Sequence, residues 1–262
     1  MVKQPFLVFK LDNLEGFALL FGASFYILES PERKQRIIYE AWQVVDNAAG
    51  AGVPTSHARI KALEVLNNYG VSMRGLDVPK ADLSEIDLGN AQLNEADLKK
   101  ADLSKANLTE AELRKADLTE AKLKEAKLGK AVLMGAKLIR TDLSNANLAG
   151  AHLTHANLDG ADLKHANLNG ADLKYANLKN TDFTGANLRN AKLSGLDLTS
   201  AKLHGLDLTD ADLTGADLTG ADLTSANLEG ILWDQQTKLE NATGLDKAEN
   251  VPDALRQKLG LA

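Results

Sequence analysis

The side chains through which this sequence could do acid–base or metal chemistry are five histidines and 36 carboxylates, in 262 residues that contain no cysteine. The missing thiols exclude disulfide scaffolds, zinc knuckles, iron–sulfur clusters and cysteine nucleophiles. His57 stands at the start of a candidate helix, while His152, His155, His165 and His204 are spread through a leucine-rich stretch. A metal triad needs three ligands converging on one ion, and this scatter does not supply one. No glycine-rich phosphate loop and no nucleophile motif is present. The reading is therefore a non-enzymatic chain with no catalytic, cofactor-binding or metal residues.

Charge and composition narrow the class further. The chain carries 30 basic and 36 acidic residues, a net charge of −6, with 44% hydrophobic but only 5% aromatic residues. Residues 1–75 carry +1, residues 76–230 carry −6 and residues 231–262 carry −1. No basic footprint exists, so direct nucleic-acid binding is not expected. An apolar mass made largely of Ala and Leu suits a repetitive core better than a sculpted pocket.

From Leu76 to Gly230 the chain runs as 31 consecutive quintets without an insertion, such as AlaAspLeuSerLys at 101–105. The third position is Leu in all but two, Val78 and Phe183; the first is Ala except at Leu76, Ile86, Thr141, Thr181, Leu196 and Leu206. A period of five fits no single helix stripe, because about 100° per residue turns successive Leu by roughly 140°. In a continuous strand an odd period would throw successive Leu onto opposite faces. Each quintet must contain its own bend, so that the chain coils and stacks upon itself.

The A-D/N-L-x-x pattern over these 155 residues resembles the pentapeptide repeat family. The resemblance implies an all-β solenoid: a right-handed quadrilateral β-helix with four quintets per turn, so residues 20 apart should stack. The 31 quintets then make nearly eight coils, a rod of about 37 Å at roughly 4.8 Å per strand. It also implies a bacterial source, cyanobacteria included.

Stacking by 20 predicts neighbours. Outward second-position lysines should meet acids: Lys122 between Asp102 and Asp142, Lys137 against Asp117, Lys192 between Asp172 and Asp212, and Lys202 between Asp182 and Asp222. Such exposed pairs are worth about 0–1 kcal/mol and serve register more than strength. Asn107, Lys127, Asn147, Asn167, Asn187, Asp207 and Asn227 form one column of stacked polar groups. His155 should lie against Tyr175, and His152 between Val132 and Asp172, so no histidine stacks on another. Phe183 with Leu196 and Leu206 breaks the small/large rule, which predicts a local widening or bend; the sharper alternative is that the bend shapes a partner-binding face.

An open coil exposes strand edges and its Leu column, so both ends need covers. The expected organisation is an apolar segment over 1–29, a helical N-terminal cap over 30–75, the solenoid over 76–230 and a C-terminal cap over 231–262. Ser30, Pro31 and Glu32 open one helix carrying Ile38, Ala41, Trp42 and Val45; Ser56 opens a second carrying Ile60, Leu63 and Leu66, ending at Gly70. A short helix over 252–259 should cover the last coil beside Trp233. Phe17, Leu19, Leu20, Phe21, Phe25, Ile27 and Leu28 lie in an uncharged run spanning about 18 Å as a helix, short of a hydrocarbon core of roughly 30 Å. The segment Glu29, Ser30, Arg33, Gln35, Tyr39, Ala41, Trp42, Gln43 and Val44 nevertheless resembles that following the anchor of membrane-tethered pentapeptide proteins. Two readings stand: membrane contact through residues 11–28, with Arg33, Lys34 and Arg36 holding the rod on the cytoplasmic side, or a soluble helix on the first coil. Either places the chain in the bacterial cytoplasm, free or at the membrane face.

Function follows as a protein-binding or scaffold solenoid with an unidentified protein partner. Asp207, Asp210, Asp212, Asp217, Asp222 and Glu229, in a stretch without a base, form the candidate partner-binding acidic end. In the family, acidic rods resembling duplex DNA occupy gyrase and protect it from quinolones, so a gyrase- or topoisomerase-directed DNA mimic is the alternative. A purely structural element is the third.

Overall fold

The computed structural model describes residues 30–50 and 56–260. Helix α1 spans Pro31–Gly50 and α2 spans His57–Asn68. Ser30 Oγ accepts the Arg33 N–H at 3.3 Å and Ser56 Oγ accepts the Arg59 N–H at 3.1 Å, so each helix opens with an orphan donor satisfied. Ala41 and Val45 of α1 and Leu63 and Leu66 of α2 are buried in the same cluster as Met73 and the first coil. The lid is also tied down by polar contacts, with Asn67 Nδ2 donating to Gly89 O at 2.9 Å. The stretch holding Phe17 to Leu28 lies outside the described residues; among the described residues no helix is long and apolar enough to cross a membrane.

From Asp77 onward, second-position residues pair as parallel bridges at an offset of 20, from Asp77 with Asp97 through Asp207 with Asn227. Four quintets thus make one coil, and its faces are designated one to four for quintets starting at 76, 81, 86 and 91. Within each coil the turn is made at the fifth residue, which takes the left-handed conformation, as in Asn145 (φ 58°) and Gly150 (φ 67°). The first residue then donates back to the preceding third-position carbonyl, as Ala146 N–H does to Leu143 O at 3.0 Å. Glycine at Gly185 (φ 69°) leaves room for the His165 ring one coil below, which a Cβ would displace.

First and third side chains fill the interior: Leu83 through Leu173 at the third position are at most 1% exposed. Burying each Leu is worth roughly 1.5–3 kcal/mol. Thr141 replaces an Ala at 0% exposure because its hydroxyl donates to Leu118 O at 2.8 Å.

The quintet spacing ends at Gly230, but the ladder does not. Asp212 pairs with Leu232, Asp217 with Lys238, Asp222 with Thr243 and Asn227 with Glu249, offsets that grow from 20 to 22 as extra residues enter. The region expected to be a simple cap is therefore first an irregular coil. Only then does helix α3, Asp253–Leu259, close the end, with Leu255 buried to 1% against a space lined by Leu213, Leu218, Leu223, Leu228 and Trp233.

Candidate partner-binding surfaces

The Asp or Asn of each quintet has a local task that the sequence reading missed. Its Oδ1 accepts the N–H two residues on, as in Asp142 from Ser144 (3.0 Å), Asn167 from Asn169 (3.1 Å) and Asp212 from Thr214 (3.0 Å). This side chain thus fixes the turn that follows it. The signal was present: Asp or Asn followed two residues later by Ser or Thr, whose hydroxyl adds a second bond at 2.6 Å in Ser144.

The same groups build columns on the outside. Lys122 pairs with Asp102 (3.2 Å), Lys137 with Asp117 (3.2 Å) and Lys192 with Asp172 (3.5 Å). Asn187 Nδ2 donates to Asn167 Oδ1 at 3.4 Å and Asn167 Nδ2 to Asn147 Oδ1 at 3.3 Å, a hydrogen-bonded amide column on face three. His155 stacks on Tyr175 with ring centroids 5.0 Å apart. His152 lies between Val132 and Asp172. Among the described residues no group of three or more His, Asp or Glu could hold a metal ion.

The six acids of the C-terminal coils form a belt. Asp207, Asp210 and Glu229 belong to face three, Asp212 to face four, Asp217 to face one and Asp222 to face two. Asp210 and Glu229 are exposed, while the other four are half-buried. Bases from neighbouring coils reach two of them: Arg189 Nη1 lies 3.2 Å from Asp207, and Lys238 Nζ 2.8 Å from Asp217. The hydrogen bonds from Lys238 and Thr219 hold the Asp217 carboxyl down at about 2. A count along the sequence sees no base here because the bases come from one coil below and one above.

The position flagged by Phe183, Leu196 and Leu206 is where the stack opens. On face one the bridge expected between Asn177 and Asp197 is missing, and on face two so is that between Asp182 and Lys202. The amides of Tyr175, Leu178, Asn180, Phe183 and Gly185 make none of the bonds to the next coil that every equivalent amide from Leu83 to Leu173 makes. Those of Asp197 and Lys202 likewise miss Ala176 O and Thr181 O. Face three still carries the Asn187–Asp207 bridge and face four the Lys192–Asp212 bridge, so the opening is a wedge. A cleft of about 920 Å³ results, lined by residues 175–183 and 197–202.

Bulk explains the wedge. By the 20-residue period Leu196 falls over Ala176, Leu206 over Ala186 and Phe183 under Leu203, so three oversized side chains come within one and a half coils. Extra carbon atoms in a filled core force backbone shifts. Lys202 consequently lacks its expected Asp182 partner; Lys164 takes that carboxylate at 3.1 Å instead. With Thr184 as its strongest hydrogen-bond donor, Asp182 is held down at about 2.

A model of pentapeptide repeats in eight copies matches residues 81–119, 116–154, 151–190, 166–205 and 191–230, more than half of the chain. The chain belongs to the pentapeptide repeat family. Members of that family with solved structures form right-handed quadrilateral β-helices. This pentapeptide repeat chain is similar to HetL, a pentapeptide repeat protein involved in heterocyst differentiation regulation from the cyanobacterium Nostoc sp. strain PCC 7120. The two share 34% identity over 68% of this chain and 89% of HetL, with a TM-score of 0.36. It is similar to full-length QnrB1, a plasmid-mediated fluoroquinolone resistance protein, at 17% identity over 61% of this chain and 82% of that one, TM-score 0.34. It is also similar to Rfr23 from the cyanobacterium Cyanothece 51142, at 29% identity over 47% and 87%, TM-score 0.18. Among curated proteins none matches.

Proposed function

We propose that this pentapeptide repeat chain is a non-enzymatic solenoid that binds a protein partner through its outer columns. One observation carries the reading. Outside the seam at 175–183 and 197–202 the quintets spend their first and third side chains on a filled interior and their second on the turn and the column, leaving recognition at the surface as the chemistry on offer. The division at residues 29, 75 and 230, the membrane contact of residues 11–28 and the recognition role of the acidic belt belong to the same proposal.

The DNA-mimic alternative is weakened by the belt's pairing: Arg189 and Lys238 neutralise two of its six acids. An unchanged rate of gyrase supercoiling in a large excess of the protein is the expected outcome.

The test of the binding reading is photo-crosslinking in cells from single positions on each face of the full chain, for example at Asn147, Asp162 and Lys137. One discrete partner, crosslinked from one face and not the opposite one, is expected. No crosslink from any face, or reproducible substrate turnover by the purified chain, contradicts it.

A further inference from the structure

The wedge between residues 175–185 and 194–204 leaves main-chain donors without acceptors at a place that is otherwise interior. Ala176, Leu178 and Phe183 are at most 9% exposed, yet the Leu178 and Phe183 amides reach no carbonyl. Buried amides of this kind are paired in almost all native structures. The lower lip offers the amides of Tyr175, Leu178, Asn180, Phe183 and Gly185; the upper lip offers those of Asp197 and Lys202 and the carbonyls of Asp197, Thr199 and Lys202. Donors and acceptors in that alternation, held apart along two lips, match the edges of a further backbone laid between them.

We infer that this seam is the docking site for a segment of a partner protein, taken up as short parallel strands on faces one and two with a turn between them that follows the corner at Asn180 (φ 56°). The inference deepens the protein-binding reading and rests on it. Main-chain bonds along the lips supply the attraction, as in other cases of strand addition to a free edge. Ala176, Leu178, Phe183 and Leu198 give the floor an apolar part, which suits aliphatic side chains. Outside, Lys179, Asp182, Asp197 and Lys202 alternate in sign, so the segment carries no large net charge. Exposed Tyr175, its ring stacked on His155, stands at the entrance as an apolar ledge. Faces three and four, still bridged, act as the hinge and limit how far the lips part.

The test uses the full chain and a synthetic ten-residue peptide copying residues 156–165, which occupy faces one and two in a closed coil. Titration calorimetry measures its binding beside that of the same peptide N-methylated at alternate amides, which keeps the side chains but cannot pair. A second protein, carrying Phe183→Leu, Leu196→Ala and Leu206→Ala, returns the seam to the quintet rule and closes it. The expected result is saturable one-to-one binding that falls about tenfold or more with N-methylation and with the closed-seam protein. Equal binding of the methylated peptide, equal binding by the closed-seam protein, or no binding overturns the inference. So does self-association of the chain that disappears on closing the seam, because a second copy would then be the occupant. If the closed-seam protein keeps the crosslinked partner of the full chain, the seam inference fails while the protein-binding reading survives. If no partner crosslinks at all, it is that reading which fails.

Discussion

Thr141 and Thr181 occupy the same place in their quintets, yet the coils above them differ. Thr141 is fully buried, gives its hydroxyl to Leu118 O, and is covered by a coil that closes on all four faces. Thr181 gives its hydroxyl to Leu158 O at 3.0 Å in the same way, but it is only part-buried and the coil above it has lifted away. A polar group in the core is therefore not what opens the stack, since each Thr is satisfied from the coil below. The difference lies in volume. Around Thr141 the first positions are Ala and the third are Leu, whereas around Thr181 stand Phe183, Leu196 and Leu206. Bulky first-position residues also occur in the first coil, as Leu76 and Ile86, without opening it. There they have helices beneath them in place of a filled coil. A repeat stack of this kind tolerates large side chains at an end and yields in the middle.

That contrast can be broken most severely from the closed side. Leu148→Asp places an unpaired carboxylate in a fully buried site and is expected to cost about 4 kcal/mol or more, abolishing cooperative melting. The same change at Leu178, which lines the cleft, should cost less than half as much by chemical denaturation. If the two were equally damaging, the seam would be closed in solution. Returning the seam to the rule with Phe183→Leu, Leu196→Ala and Leu206→Ala should instead stabilise the chain, by about 1–3 kcal/mol of relieved overpacking. Loss of stability in that variant would mean the three side chains fill the space they occupy.

Acid sharpens the comparison in another way. Asp182, on the lower lip, and Asp217, in the last regular coil, have carboxyls lowered from 3.8 to about 2. A depressed carboxyl contributes stability that is fully present above the unfolded value and lost as pH falls toward the folded one. Melting temperature should therefore fall between about pH 4 and pH 2, and Asp182→Asn with Asp217→Asn should flatten that fall. The smallest effect belongs to the columns: Lys122→Ala should change stability by about 0–1 kcal/mol, and by less in high salt.

Where the period of five holds, the sequence determined the contacts closely. The Lys122, Lys137 and Lys192 pairs, the His155–Tyr175 stack and both helix starts at Ser30 and Ser56 follow from spacing and capping alone. It failed where the period failed. Residues 231–249 carry inserted residues that slip the offset to 22, so the continuing ladder has no fixed register to read. Lys202 was placed beside Asp182 by arithmetic that assumes a closed coil. The acidic end looked uncompensated because Arg189 and Lys238 are near its acids in space and not in the local window. The volume conflict at Phe183, Leu196 and Leu206 could be named from the sequence, but which faces would part depends on how four walls share the strain.

Between residues 77 and 227 the bridges follow one 20-residue ladder that opens at a single place, and residue-resolved amide hydrogen exchange on the full chain distinguishes that arrangement from an unbroken stack. Equivalent amides such as Leu138, Leu148 and Leu158 should exchange only through global unfolding, while Leu178, Asn180 and Phe183 should exchange at least about 100-fold faster. Uniformly slow exchange across residues 83–228 would contradict the open seam, and uniformly fast exchange would contradict the ladder itself.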